Sequence, residues 1–98
     1  MTTLVYTELA SQDLEALYTY IAESNPVRAD SYVEELRAAC RTLLAFSERG
    51  RRRAELGEQV RSLSFRKQTI FYEIGHARII ILRVLSAGRD VDAEFDVD

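Results

Sequence analysis

The feature that most constrains the fold is an apolar run near the C-terminus, residues 79–85, which a single charged residue interrupts. β-Branched residues dominate the run, and its length and composition are typical of a strand that is covered on both faces. The interruption is Arg83, whose guanidinium keeps its charge and is costly to bury without a partner. The sequence therefore predicts a central strand over residues 77–86, in which Arg83 either pairs with a carboxylate or lies where the sheet opens to a partner.

Two amphipathic helices are predicted before this strand. A short strand over residues 3–6 is followed by Thr7, which can cap a helix whose apolar residues recur at helical spacing to about residue 24. Asn25-Pro26 suits the start of a second helix that reaches about Phe46. Because the break is so short, we expect an antiparallel hairpin of helices that covers a sheet. The predicted core comprises Leu14, Leu17, Ile21, Leu36, Cys40, Leu43, Ile79, Ile81 and Val84.

The remaining strands are predicted after a loop over residues 47–57. Residues 60–65 and 69–74 have strand-like composition, and Gly75-His76 forms a tight turn before the central strand. Short links of this kind join strands into an antiparallel meander. The predicted order is β-α-α-β-β-β, an α+β fold with a helical hairpin packed on a small, mainly antiparallel sheet. We expect one domain over residues 1–90, followed by an acidic C-terminal tail over residues 91–98.

The net charge of −3 conceals an uneven distribution of charge. Residues 1–36 carry seven acidic residues and one basic residue, and residues 37–89 carry twelve basic and four acidic residues. Twelve of the thirteen basic residues are arginine, the side chain suited to bidentate pairing with carboxylate or phosphate. These regions either pair with each other inside the fold or leave a basic surface for an acidic partner.

Few side chains are candidates for catalysis or for metal binding. His76 is the only histidine, and a hairpin turn offers neither the cleft nor the partner that a catalytic base needs. Cys40 is the only cysteine, and on an apolar helical stripe it behaves as a small hydrophobe. The sequence contains no metal-ligand cluster, no glycine-rich phosphate motif and no apolar run of membrane-spanning length. We therefore predict no catalytic residue, no metal and no cofactor, in a cytoplasmic protein without a membrane segment.

The arginines are the remaining candidates for function. The run from Arg49 to Arg53 is interpreted as a solvated loop, with contact to phosphate as the alternative. Arg61 and Arg83 are predicted on strands, where a charge is harder to place, and Arg89 follows the last strand. These three are the predicted functional arginines, although Arg89 could instead pair with Asp90.

Several segments, taken in order, resemble the ParE-type toxins of the RelE/ParE superfamily of bacterial toxin–antitoxin systems. The resemblance spans residues 3–90, and one departure is Ser86, where many relatives have histidine. The segments that carry it are Asp13-Leu-Glu-Ala-Leu-Tyr-Thr-Tyr-Ile-Ala-Glu23 with Asn25-Pro26, Arg53-Ala-Glu-Leu56, Val60-Arg61-Ser62-Leu63, Ile70-Phe71-Tyr72, and Arg83-Val84-Leu85 with Arg89-Asp90.

The superfamily includes two activities, between which the residues discriminate. RelE-like members cut messenger RNA on the ribosome with basic groups on the second and third strands and commonly a C-terminal tyrosine. This chain has Arg61 on the second strand, but Thr69 stands where RelE has arginine, and Phe95 stands at the tyrosine position. The resemblance therefore implies a ParE-like toxin that inhibits DNA gyrase without an active site of its own. A RelE-like ribonuclease and a non-toxic antitoxin-binding module are the alternatives.

The resemblance also implies a partner, a cognate antitoxin that is usually a ribbon-helix-helix, ParD-like protein. We expect its apolar side chains beside the helical hairpin and its acidic side chains against the arginines between residues 37 and 89. The toxin alone is not expected to bind DNA sequence-specifically. The alternating acidic and apolar tail is predicted either to pack along the toxin or to be a frayed terminus. The predicted antitoxin-binding residues are Leu17, Tyr18, Tyr32, Leu36, Arg37 and Arg78.

Overall fold

The two helices begin where the sequence supplies capping side chains. A computed structural model describes residues 1–86 of the chain. Helix α1 spans Glu8–Ala22, and the Thr7 hydroxyl accepts a hydrogen bond from the Ala10 N–H at 3.0 Å. Helix α2 spans Pro26–Thr42, and the Asn25 side chain accepts from the Arg28 N–H at 3.0 Å. The predicted antiparallel hairpin is confirmed, with α2 ending earlier than expected.

Five strands form one mixed sheet in the order β1-β5-β4-β3-β2. Strand β1 lies parallel to β5, and the other neighbours are antiparallel, so the predicted α+β fold with a mainly antiparallel sheet is confirmed. The strands are β1 (Thr3–Tyr6), β2 (Arg51–Arg52), β3 (Val60–Phe65), β4 (Gln68–Gly75) and β5 (Arg78–Ser86).

The interpretation of residues 47–57 as a plain loop was wrong. This segment contains a 3-10 turn, Ser47–Arg49, and then β2, which pairs Arg51 with Ser62 and Arg52 with Arg61. A strand of two residues has no periodicity that a sequence can reveal. Its pairing depends on the position of β3, which is a tertiary property.

A β-bulge in β5 decides which side chains reach the core. Phe71 of β4 faces Arg83 and Tyr72 faces Ile81, so Leu82 is the additional residue on β5. After this extra residue, each side chain of β5 points to the opposite face of the sheet from the one that regular alternation would give it. For that reason Ile81 and Val84 both lie against the helices, although their spacing of three does not fit a regular strand.

Most of the predicted core is confirmed. Leu14, Leu36, Cys40 and Leu43 of the hairpin are buried against Ile79, Ile81 and Val84 of β5. Leu17 and Ile21 are less buried than the others, although Leu17 still packs against this core. These two side chains lie where α1 passes the turn end of β3 and β4, and there they line a surface groove. The tail over residues 91–98, and with it the predicted boundary after residue 90, lies outside the described residues.

Tyr72 is a fully buried side chain that the sequence did not single out. Its hydroxyl donates to the Ser47 carbonyl at 2.6 Å and accepts from the Gly50 N–H at 2.8 Å. A Cβ on Gly50 would come within 2.6 Å of that hydroxyl and 2.8 Å of the Ser62 carbonyl. Glycine at position 50 therefore allows the chain entering β2 to pack directly on the sheet.

Candidate partner-binding surface

Arg83 pairs with a carboxylate, which was the first of the two alternatives that its position allowed. Its Nε and Nη2 donate to Asp13 Oδ2 and Oδ1 at 2.8 and 2.9 Å, and both side chains are largely buried. The Val84 N–H also donates to Asp13 Oδ2, at 3.0 Å. Because β1 pairs with β5 only as far as Ile81, the Asp13 carboxylate takes the place of a neighbouring strand at this edge.

Arg61 is also engaged within the fold. Its Nη1 donates to the carbonyls of Glu48 and Gly50 at 3.2 and 2.8 Å, which holds the segment before β2 on the sheet. A guanidinium suits this position because one planar fork can serve several acceptors. Arg89, the third predicted functional arginine, lies outside the described residues.

The structure does not bring the six predicted antitoxin-binding residues together. Leu36 is fully buried, so in this structure its side chain offers no surface to a partner. Tyr18 and Arg37 lie in a cleft between the helices, where the Tyr18 hydroxyl donates to Asp30 Oδ1 at 2.8 Å. Arg78 is exposed at the start of β5, opposite Thr3. Leu17 and Tyr32 share a second concave surface, which is separate from that cleft.

That surface is a groove of about 420 Å³ between α1, α2 and the β3–β4 turn, which we call the α1 groove. Its apolar floor includes Leu17, Ile21 and Tyr20, the last of which is 74% exposed. Basic side chains form its rim. The residues that line the groove are Leu17, Tyr20, Ile21, Arg28, Tyr32, Arg66, Lys67 and Gln68.

A second depression, of about 340 Å³, continues the groove along α1 towards the end of β5. It shares Leu17, Tyr20 and Gln68 with the α1 groove and extends to Val84 and Ser86. Gln68 is buried between the two and accepts a hydrogen bond from the Tyr32 hydroxyl. Together the two depressions form an elongated surface, a shape suited to a chain segment rather than to a small ligand.

The rim of the α1 groove contains two arginines that share one carboxylate. Glu35 Oε2 lies 3.0 Å from Arg28 Nη1, and Glu35 Oε1 lies 3.1 Å from Arg66 Nη2. The hydrogen bond from Arg28 lowers the pKa of Glu35 below its usual value, so the carboxylate is ionised at neutral pH. Glu35 Oε1 is nevertheless buried without a well-aligned hydrogen bond, because the contact with Arg66 has the distance but not the geometry of one.

Aromatic rings fix both guanidinium groups beside the groove. The Arg28 guanidinium lies 5.0 Å from the centre of the Tyr32 ring, and that of Arg66 lies 5.3 Å from the centre of the Phe65 ring. The two rings are themselves in tilted contact at 6.4 Å. Cation–π contacts of this kind reduce the freedom of long side chains, so the positive charges are held in place before a partner arrives.

The described residues offer little chemistry for catalysis. Burial raises the pKa of the Cys40 thiol, which favours the protonated form over the nucleophilic thiolate. His76 is exposed in the β4–β5 turn, as the sequence predicted. Within residues 1–86 no group of His, Cys, Asp and Glu side chains is arranged to hold a metal ion, and no helix could cross a membrane.

Sequence reasoning missed the residues that matter most for the shape and charge of this surface. Long stretches of chain separate Asp13 from Arg83, Gln68 from Tyr32 and Glu35 from Arg66, and no motif links them. One signal was available. Tyr20 adds an aromatic side chain next to the apolar stripe of α1, which widens that stripe beyond what the sheet covers.

Comparisons with known proteins agree with the fold and extend over nearly the whole chain. A family model described as the ParE toxin of type II toxin–antitoxin systems, parDE, matches residues 4–91. Toxin ParE3 of Caulobacter vibrioides is 25% identical over 92 residues, which cover 93% of this chain and 92% of that protein. A solved structure described as a chromosomal ParDE toxin–antitoxin system from P. aeruginosa superposes with a TM-score of 0.76 at 24% identity, over 88% of this chain and 96% of that one.

Proposed function

The chain belongs to the family of ParE toxins of type II toxin–antitoxin systems, and from this premise we propose that it inhibits DNA gyrase and that a cognate antitoxin neutralises it by docking on the helical hairpin. The antitoxin is expected to be of the ribbon-helix-helix, ParD-like type. Gyrase acts on the chromosome, so the proposal assigns the protein to the cytoplasm. No cofactor or metal takes part in it.

The observation that favours docking is the α1 groove, with an apolar floor and a basic rim on the exposed side of α1. An elongated concave surface beside a helix suits an amphipathic segment of another chain. The same groove gathers Leu17 and Tyr32 from the predicted binding residues, and Tyr18 and Arg37 lie in a separate cleft between the helices. A partner that wraps the hairpin could reach both.

Inhibition of gyrase rather than cleavage of RNA is favoured by the side chains of β3 and β4. Arg61 already donates to two backbone carbonyls, and Thr69 of β4 brings no cationic or basic group. General acid–base catalysis needs a positioned group that can exchange a proton near the working pH. These positions supply none, which supports a toxin that acts by binding.

Induced expression of the full chain in a sensitive bacterial host tests the proposal. We expect a DNA-damage response and, with purified gyrase and plasmid, accumulation of the cleaved-DNA complex. Ribosome-bound messenger RNA should remain uncut in a primer-extension assay on the same cells. A-site cleavage without trapped gyrase would instead establish the RelE-like ribonuclease.

Co-expression with the cognate antitoxin tests the second half of the proposal. The antitoxin should restore growth and co-purify with the toxin. Growth arrest that the antitoxin does not relieve would contradict neutralisation by docking. A protein that binds the antitoxin but never arrests growth would be the non-toxic binding module.

A further inference from the structure

We propose that the basic rim of the α1 groove binds a carboxylate of the antitoxin while the groove floor takes an apolar side chain of the same segment. The inference rests on the proposed function, because it specifies the chemistry of that partner at one site. It assigns the recognition of the acidic side chain to Arg28, Arg66 and Lys67, of which only Arg66 belongs to the arginines between residues 37 and 89 that the sequence had indicated.

The side chains around the groove carry more positive than negative charge within the described residues. Three cationic side chains line it, and Glu35 at its edge supplies one carboxylate for two of them. Lys67 is exposed and has no ion pair within residues 1–86. The nearby carboxylates Asp13 and Asp30 are engaged by Arg83 and Tyr18. Among residues 1–86 the rim therefore keeps an excess of positive charge, which attracts an acidic group.

The two arginines of the rim are already held in position. Glu35 and the rings of Tyr32 and Phe65 hold both guanidinium groups, with side-chain exposures of 39% for Arg28 and 54% for Arg66. An incoming carboxylate can thus form charge-assisted hydrogen bonds without first ordering two long side chains. The poorly aligned contact between Glu35 Oε1 and Arg66 leaves that guanidinium able to turn towards a better acceptor.

The floor of the groove consists of apolar side chains that remain partly exposed. Leu17 and Ile21 are spaced four residues apart on α1 and are only half-buried, and Tyr20 is mostly exposed. Covering them would remove apolar surface from water. A segment that places one apolar side chain on this floor and one acidic side chain on the rim satisfies both parts of the groove.

Substitutions with opposite expected effects test the assignment. Affinity of the full-length toxin for the purified cognate antitoxin is measured by calorimetry at low and at physiological salt. Arg66→Gln combined with Lys67→Gln should weaken binding by about tenfold or more, because charge-assisted hydrogen bonds are lost. Glu35→Gln should not weaken binding and should tighten it several-fold at low salt, because the rings of Tyr32 and Phe65 still hold both guanidinium groups while the neutral side chain competes less for them.

Arg51→Gln is the matched control, since Arg51 is an exposed arginine on β2, away from the groove. It should leave affinity unchanged, and thermal melting should show that every variant is folded. Arg66→Gln with Lys67→Gln within twofold of the native affinity would overturn the inference and leave the proposed function intact. So would a Glu35→Gln variant that binds as weakly as the double variant.

Antitoxin binding by the native toxin and the thermal stability of a chain without residues 91–98 provide two further tests. Failure of the native toxin to bind the antitoxin at all would overturn the proposed function and this inference with it. If the double variant keeps its antitoxin affinity but loses as much thermal stability as a chain lacking residues 91–98, the groove serves the chain's own acidic segment. That result would also overturn the assignment.

Discussion

At the scale of single residues, Asp13 joins a side chain and the backbone of one strand. Its carboxylate accepts two hydrogen bonds from Arg83 and one from the backbone of Val84. It therefore neutralises a largely buried charge and also completes the hydrogen bonding of a strand edge. Neither task alone would require an aspartate, but a short carboxylate performs both at once.

Asp13→Ala should destabilise the fold by about 3 kcal/mol, because Arg83 would lose two charge-assisted hydrogen bonds and the Val84 N–H would lose its acceptor. Asp13→Asn should cost less, since the amide oxygen can still accept from Val84. Chemical denaturation of the two variants and of native protein measures the difference. Equal losses for alanine and asparagine would show that the charge, and not the strand edge, is the whole effect.

Gly50→Ala should destabilise the fold by roughly 1–3 kcal/mol, since the new Cβ would overlap the Tyr72 hydroxyl and the Ser62 carbonyl. Combining it with Tyr72→Phe should cost less than the sum of the two single changes, because phenylalanine removes one of the overlapping atoms. Thermal unfolding of the four proteins in this cycle gives the coupling. If the stability losses of the two single variants add up to that of the double variant, the chain before β2 relaxes away from the sheet.

At the scale of elements, the two helix caps differ in the number of elements that they contact. Asn25 caps α2 alone, through the Arg28 N–H. Thr7 caps α1 and also donates its hydroxyl to the Leu82 carbonyl at 2.8 Å, beside the β-bulge. The second contact ties the start of α1 to the strand on which the core is built.

Asn25→Ala should cost about 1 kcal/mol, the usual loss for a helix cap. Thr7→Ala should cost more, because the Leu82 carbonyl also loses a hydrogen-bond donor. Thr7→Ser is the control, since it keeps the hydroxyl and should be close to native. Urea unfolding compares the three variants, and a Thr7→Ala loss no greater than that of Asn25→Ala would show that the bond to β5 adds nothing.

At the scale of the whole molecule, the hairpin presents one stripe to the sheet, and the proposed function assigns a second stripe to the antitoxin. Leu36 belongs to the first stripe and is fully buried. Leu17 lies at its border, since it packs against the core and also lines the α1 groove. A domain of this size has a net stability of only about 5–15 kcal/mol, so the two roles should separate on mutation.

Leu36→Ala should lower the free energy of unfolding by about 2–5 kcal/mol, because it leaves a cavity between hairpin and sheet. Leu17→Ala should cost much less stability but should weaken antitoxin binding several-fold. Denaturation and antitoxin affinity, both measured below the melting temperature of the weaker variant, give the comparison. A Leu17→Ala protein that unfolds as easily as Leu36→Ala while binding normally would place Leu17 in the core.

Local patterns in the sequence determined much of the fold. Caps at Thr7 and Asn25, helical stripes of apolar residues and an apolar strand act over a few residues, so their physical effect is visible in the order of amino acids. They predicted both helices, the four longer strands and most of the core. The buried Cys40 and the exposed turn at His76 followed from the same reasoning.

The tertiary structure alone decided what depends on residues far apart in the chain. The sequence required a partner for Arg83 but could not identify Asp13, which is 70 positions away. The bulge at Leu82 and the pairing of β2 are set by register between strands, and a register leaves no mark on a single segment. The α1 groove exists because α1 passes the turn end of the sheet, so Leu17 and Ile21, apolar and correctly spaced for a core, remain half-covered beside Arg28 and Arg66.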